Sequence, residues 1–161
     1  MRSRSHGEDK LCSDILKFPH HGGTWQKTET DELLETVKPA IVIISVGTIQ
    51  NYDHPKDDVL ESLRNHKAIQ LFCTQATDKC GESENLQRKE IIKQFEEEYL
   101  DMDGDKKWAF SRNGGCPCAG SIVVELGETA EVECPKRNFH HKIIERFFSK
   151  NKCYLLTEAR N

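Results

Sequence analysis

Histidines follow two apolar segments of this 161-residue chain, and histidine is the side chain best suited to binding metal ions and handling protons near neutral pH. Two histidines lie in Asp14-Ile-Leu-Lys-Phe-Pro-His-His-Gly-Gly23, and a third lies in Gln50-Asn-Tyr-Asp-His-Pro55. Imidazole supplies a ligand nitrogen, and glycine lets a ligand approach the backbone. The residue types therefore predict a metal or phosphate site that contains His20, His21 and His54.

Predicted strands place these histidines at one edge of a sheet. Asp14–Phe18 is a short apolar segment before Pro19, and Ala40–Val46 is a continuous β-branched run that is typical of a strand buried on both faces. Ala68–Cys73 has a similar apolar character. Strands that alternate with helices predict an α/β sheet whose loops gather at one edge.

Two amphipathic helices are predicted between these strands. The first covers Thr28–Val37, with Thr28 as its N-cap and Asp31 three residues later. The second opens at Pro55, where a missing N–H costs nothing, and carries an apolar stripe of Val59, Leu60 and Leu63.

The chain beyond Cys73 has a different composition. A polar segment 1–13 precedes a single unit 14–161, within which residues 74–115 are rich in charge and read as an insertion. The predicted elements of this part are a helix Leu86–Leu100, an antiparallel pair Ser121–Leu126 and Thr129–Cys134, a helix Phe139–Phe148 and a strand Cys153–Leu156.

Composition limits the classes of partner. The mass of 18.5 kDa is about one domain, and the net charge of −4 argues against a surface that binds nucleic acid non-specifically. A nucleic acid or phosphate ester held by a metal stays compatible with that charge. No apolar run approaches the roughly 18 to 20 residues of a membrane span, and the N-terminus lacks the apolar stretch of a secretory signal. We therefore expect a soluble, cytoplasmic protein.

Seven cysteines are many for such a chain. Cys73, Cys80, Cys116 and Cys118 could close a structural zinc site that joins the two ends of the insertion. A disulfide or redox pair and ordinary buried thiols are the alternatives.

The motifs resemble the C-terminal half of a metallo-β-lactamase-fold hydrolase of the ComEC-like type, found in competence proteins and related stand-alone enzymes. The similar segments are DILKFPHHGG at 14–23, KPAIVIISVGTIQNYDHP at 38–55, IQLFCTQ at 69–75 and, more loosely, AGSIVVEL at 119–126. The resemblance implies half of a four-layer αββα sandwich. It also implies a site with one or two metal ions, usually zinc, at the edge between the two halves.

The same resemblance implies roles for individual residues. His21 would bind the metal, His20 and His54 would act as catalytic groups that position the phosphate, and Gly22 and Asn51 would contact the ligand. The implied reaction is hydrolysis of a phosphoester, plausibly in nucleic acid, by a metal-bound hydroxide with a histidine assisting the leaving oxygen. Lactam or thioester substrates fit the ComEC-like pattern less well.

The family's N-terminal His-x-His-x-Asp-His loop is absent from this sequence, and no Gly-Asp pair precedes His20, where the family has a strand that ends in Gly-Asp. Adjacent histidines on an extended strand also point to opposite faces, so His20 and His21 would rarely bind one ion. We therefore expect an incomplete site, a phosphodiesterase or nuclease only when a missing N-terminal half, a second chain or a homodimer completes it.

The histidines also have simpler interpretations. His20 and His21 could be structural turn residues, His54 could be a loop residue before Pro55, and Asn51 could merely tolerate a left-handed turn. The rival function is a non-catalytic half-domain that acts as a protein-interaction module. An exposed apolar sheet face would favour that rival.

Overall fold

The computed structural model describes residues 11–48, 52–82, 122–126 and 130–133, together with positions 144, 145, 148 and 150. The predicted helix Leu86–Leu100 and strand Cys153–Leu156 lie outside these residues. Of the predicted helix Phe139–Phe148, positions 144, 145 and 148 are described: 144 and 145 are helical, and 148 is not.

A three-stranded parallel sheet forms the centre of the described region, with the strands in the order β1-β2-β3. The strands are β1 (Ile15–Lys17), β2 (Ile41–Ile44) and β3 (Gln70–Cys73). Leu16 pairs with Val42, and Val42 pairs with Leu71, so these apolar side chains lie on one face. The three strands predicted in the first half of the chain are confirmed, each somewhat shorter than predicted.

Two helices connect the strands, α1 (Lys27–Val37) and α2 (Asp57–Asn65). The predicted start of α1 is wrong: its N-cap is Gln26, whose backbone N–H donates to the Glu29 carboxylate at 2.9 Å. Thr28 lies inside the helix, because Gln26 and Glu29 already make the capping contact. The start of α2 is likewise two residues later than predicted: its first helical residue is Asp57 rather than Pro55, and Lys56 is the N-cap.

The main core lies between the sheet and both helices. Val42 and Ile44 of β2 are fully buried there. Val59 and Leu63 of α2 are also buried, with at most 1% of their surfaces exposed. Leu34 of α1 completes the same cluster. Both helices therefore cover one face of the sheet, as two crossover connections of the same hand that advance in one direction across a parallel sheet require.

The opposite face of the sheet is also covered in part. Ile41 and Phe72 point away from the helix-side core, yet only 4% and 7% of their surfaces are exposed. Ile43, which pairs with Phe72, is half-buried. β2 is thus buried on both faces at its first residues, as its continuous apolar sequence predicts.

A second sheet contains β4 (Val123–Leu126) and β5 (Ala130–Glu133). The two strands are antiparallel, with Val124 opposite Val132. This confirms the predicted pair around Gly127. The described fold is therefore mixed α/β, with a small parallel sheet, two helices and a hairpin.

Candidate functional site at the carboxyl edge of the sheet

The residues that follow the three parallel strands all lie at the same edge of the sheet, the carboxyl edge. Ligands commonly bind at this edge in α/β proteins. β1 leads into Phe18, which is fully buried and donates its N–H to the Ile43 carbonyl at 2.8 Å. β2 leads into Ser45, and β3 leads into Thr74. The histidine loop after β1 therefore starts from a fixed point in the core.

His20, His21 and Gly22 form a tight left-handed turn, with φ values of 50°, 56° and 72°. This conformation costs an L-residue about 1–2 kcal/mol, and consecutive examples are uncommon. The histidines lie in a loop after the strand, as predicted, so the rule that adjacent histidines on an extended strand point to opposite faces does not apply to them. Pro19 ends the strand, and the turn begins immediately after it.

His21 is oriented by the residue that follows β2, Ser45. Its Nδ1–H donates to the backbone carbonyl of Ser45. Since a carbonyl can only accept, Nδ1 carries a proton, and in the neutral imidazole Nε2 is then the nitrogen with a lone pair. Metal-binding histidines are usually held in this way, with the second ring nitrogen donating to a carbonyl or carboxylate.

The second loop packs directly on the first. The Gly22 carbonyl accepts a hydrogen bond from the Lys56 N–H at 2.8 Å, and a Cβ on Gly22 would lie 2.8 Å from the Cβ of Pro55. A Cβ on Gly23 would overlap the imidazole of His54. Both glycines are therefore required by close approach of the two loops, and Gly22 also by its positive φ.

This packing brings two of the predicted histidines together. The ring centroids of His20 and His54 are 6.3 Å apart, and the rings are inclined by 66°. The His54 Nδ1 atom is buried, whereas His20 is exposed. The predicted gathering of the histidine loops at one edge is thus present, while the chemical roles of His20 and His54 stay predictions. Asn51 lies outside the described residues.

Tyr52 belongs to this edge and is absent from the predicted site. Its ring stacks on His54, with centroids 5.8 Å apart and an angle of 21° between the ring planes. Even so, 72% of the Tyr52 surface is exposed. The sequence does not predict the stacking of Tyr52 on His54, because a tyrosine two residues from a histidine in a loop can adopt many orientations.

A charged cluster fixes the loop that carries His54. Lys79 Nζ lies 3.0 Å from an Asp53 oxygen and 2.9 Å from an Asp57 oxygen, and Lys56 lies 3.3 Å from the second Asp53 oxygen. The hydrogen bond from Lys79 lowers the pKa of Asp53 below its usual value. Burial disfavours the charged form of Lys79, but hydrogen bonds to Asp57 and Asp53 outweigh it and raise the Lys79 pKa.

Thr74 links the ends of β2 and β3. Its Oγ1 accepts from the Val46 N–H at 2.8 Å and donates to the Val46 carbonyl at 2.9 Å. Two residues on, the Ala76 carbonyl accepts from the Thr48 hydroxyl at 2.7 Å. The first residues of the predicted insertion therefore hold the loop that follows β2.

A shallow groove of about 680 Å³ adjoins His20 on the side of α1. Glu29 and Glu32 line it together with Trp25, which is half-buried against Phe18. Carboxylates repel phosphate, so this side of His20 is unsuited to an anion. The side towards His54 carries aromatic rings instead.

A full metal site is not present among the residues that the structure describes, since no three histidine, cysteine or acidic side chains cluster there. A catalytic zinc normally takes three protein ligands and a water. Cys73 and Cys80 are half-buried, and Cys116 and Cys118 lie outside the described residues, so the proposed structural zinc stays a prediction.

Comparison with known proteins gives one informative similarity. The chain is 36% identical over 56 residues to ComE operon protein 3 of Bacillus subtilis (strain 168). That segment is 35% of this chain and 7% of the Bacillus protein. No family model and no solved structure matches the chain. The similarity supports a relation to a competence-associated protein, over a short part of each chain.

Within the described ranges, no helix has the length and apolar character needed to cross a membrane.

Proposed function

We propose that this chain carries part of the active site of a metal-dependent phosphoesterase of the metallo-β-lactamase type, and that a second half completes the site. The main support is the hydrogen bond from His21 Nδ1–H to the Ser45 carbonyl, which leaves Nε2 as the nitrogen that can bind a metal. The strained turn around His21 adds to this, because such strain concentrates at functional sites.

The described residues would supply one metal ligand, His21, rather than the three protein ligands of a complete catalytic metal site. His21 would contribute one nitrogen to a zinc or similar divalent ion, and the remaining ligands would come from the missing N-terminal half, a second chain or a second copy of this chain. A bound metal of this kind activates water for attack on phosphorus. His20 and His54 would donate N–H groups to the oxygens of the phosphoester.

The orientation of His21 can be tested by NMR. We expect long-range ¹H–¹⁵N spectra of the full chain to show a protonated Nδ1 and an unprotonated Nε2 for His21. On adding Zn²⁺, the Nε2 signal of His21 should shift, and His21→Ala should weaken zinc binding at least ~10-fold, as loss of one ligand or its support typically does. His66→Ala is the matched control, because His66 lies at the end of α2 beside Asp31.

Two results would count against the metal role. A His21 protonated at Nε2 would remove the structural support, and equal zinc binding by wild type and His21→Ala would show that the ion binds elsewhere. In both cases His21 would be a turn residue held by Ser45.

The second candidate is a non-catalytic interaction module, in which His21 would be a turn residue rather than a metal ligand. The buried Ile41 and Phe72 weaken it, because the described sheet does not present an open apolar face at these positions. A phosphodiesterase assay with added Zn²⁺ or Mn²⁺ separates the two. Activity that His21→Ala abolishes supports the enzyme, and activity that survives it contradicts the site assignment.

A further inference from the structure

Tyr52 places a large aromatic surface in solvent directly beside the histidine edge. Among the described residues, the exposed large hydrophobic side chains are Leu11, Tyr52 and Val123. Tyr52 is the most exposed of the three, with 72% of its surface accessible to solvent, and its ring stacks on His54. The contact with His54 covers part of the ring, and much of the remainder is open to a ligand.

We propose that Tyr52, backed by His54, is a stacking platform for the unpaired base of a nucleotide whose phosphate lies between His20 and His54. Every nucleobase has a flat π surface, so an aromatic platform of this kind binds bases with little sequence preference. The proposal rests on the phosphoesterase function above and adds the residue that recognises the substrate: the exposed nucleobase of the phosphate ester stacks on Tyr52.

His54, on which Tyr52 stacks, and the neighbouring Asp53 are held in place by other parts of the chain. Gly23 lies against the His54 imidazole, where any side chain would overlap it. Asp53, between the two aromatic residues, is tied to Lys79 and Lys56. A ring that is already oriented loses less conformational entropy when a ligand binds, so the exposed position is suited to recognition.

The surrounding charges favour a short ligand over a long polyanion. Lys56 and Lys79 are engaged by Asp53 and Asp57, so they offer little charge to additional phosphates. Glu29 and Glu32 line the groove on the other side of His20, and the net charge of the chain is −4. A mononucleotide, or the unpaired end of a strand, meets the site with one or two phosphates only.

Titration calorimetry with the full chain tests the platform, using adenosine 5′-monophosphate, ribose 5-phosphate and a dA-containing trinucleotide. We expect the two adenine ligands to bind more tightly than ribose 5-phosphate. Tyr52→Ala should weaken their binding about 5- to 150-fold, the range of a single base–aromatic stack. Tyr52→Phe should retain affinity, and binding of ribose 5-phosphate should not change in either variant. Leu11→Ala is the control for removing an exposed apolar side chain.

The outcomes separate this inference from the proposed function. Equal affinity for adenosine 5′-monophosphate and ribose 5-phosphate, or an unaffected Tyr52→Ala, overturns the platform while the phosphate site stands. A loss in Tyr52→Phe equal to that in Tyr52→Ala also overturns it, because the hydroxyl group would then be responsible. If none of the three compounds binds, the phosphate site fails and the platform fails with it.

Discussion

At the scale of single residues, the left-handed turn of His20, His21 and Gly22 is held by contacts from outside the turn. The Gly23 N–H donates to the His20 carbonyl at 2.8 Å, and the Lys56 N–H donates to the Gly22 carbonyl at 2.8 Å. The His21–Ser45 hydrogen bond adds a third constraint. Two non-glycine residues in this conformation cost about 2–4 kcal/mol together, so the surrounding structure must compensate for it.

Gly22→Ala should destabilise the chain by about 2 kcal/mol or more, because alanine is strained at a φ of 72° and its Cβ would press on Pro55. Chemical denaturation monitored by circular dichroism measures this free energy of unfolding. Thr28→Ala, at an exposed position inside α1, should change it by less than about 0.5 kcal/mol. A Gly22→Ala protein as stable as Thr28→Ala would contradict the close packing of the two loops.

At the scale of elements, the carboxyl ends of β2 and β3 are joined by one side chain. Thr74 satisfies both the N–H and the carbonyl of Val46, a residue that is 7% exposed. Without that hydroxyl group, a buried backbone N–H and carbonyl would lose their partner. The loop after β2 begins at this point, so its position depends on Thr74.

Thr74→Val keeps the shape of the side chain and removes its hydrogen bonds. We expect a loss of about 1–3 kcal/mol in the free energy of unfolding, together with changed amide chemical shifts in residues 45–48. Thr36→Val is the control, because the Thr36 hydroxyl donates to Glu32 on the exposed side of α1. Should Thr74→Val prove as mild as Thr36→Val, the link between the two strands would not matter for stability.

At the scale of the whole molecule, the parallel sheet also buries apolar side chains on its second face, the face away from α1 and α2. Phe72 is 7% exposed and pairs with Ile43 on that face. Ile144 and Phe148, much later in the sequence, are also buried outside the helix-side core. The chain therefore has apolar burial beyond the single helix-covered layer, in contrast to an open half-sandwich.

Phe72→Ala should cost about 3–5 kcal/mol in the free energy of unfolding, as for other large-to-small changes in a core. Phe72→Leu should lower the free energy of unfolding by less than Phe72→Ala does. The leucine variant therefore still allows the measurement if the alanine variant does not fold. Val123→Ala, at a position 47% exposed, should cost less than about 1 kcal/mol. A tolerated Phe72→Ala would show that this face is open in solution and would strengthen the interaction-module alternative.

Local sequence determined the elements that can be recognised from a few neighbouring residues. The β-branched run of β2, the apolar segments of β1 and β3, and the stripe of α2 each predict an element that the structure contains. Because parallel strands share one carboxyl edge, their order also predicted that the loops of His20 and His54 would meet. The capping of α1 was mispredicted, since Gln26 with Glu29 competes with the equally plausible Thr28 with Asp31.

Tertiary structure decided what depends on contacts between distant residues. The orientation of His21 is set by the carbonyl of Ser45, which follows β2, and the His54 imidazole on which Tyr52 stacks lies against Gly23. Lys79 reaches back across 26 residues to Asp53. No local pattern encodes such pairings, because they arise only when the folded sheet brings the ends of its strands to one edge.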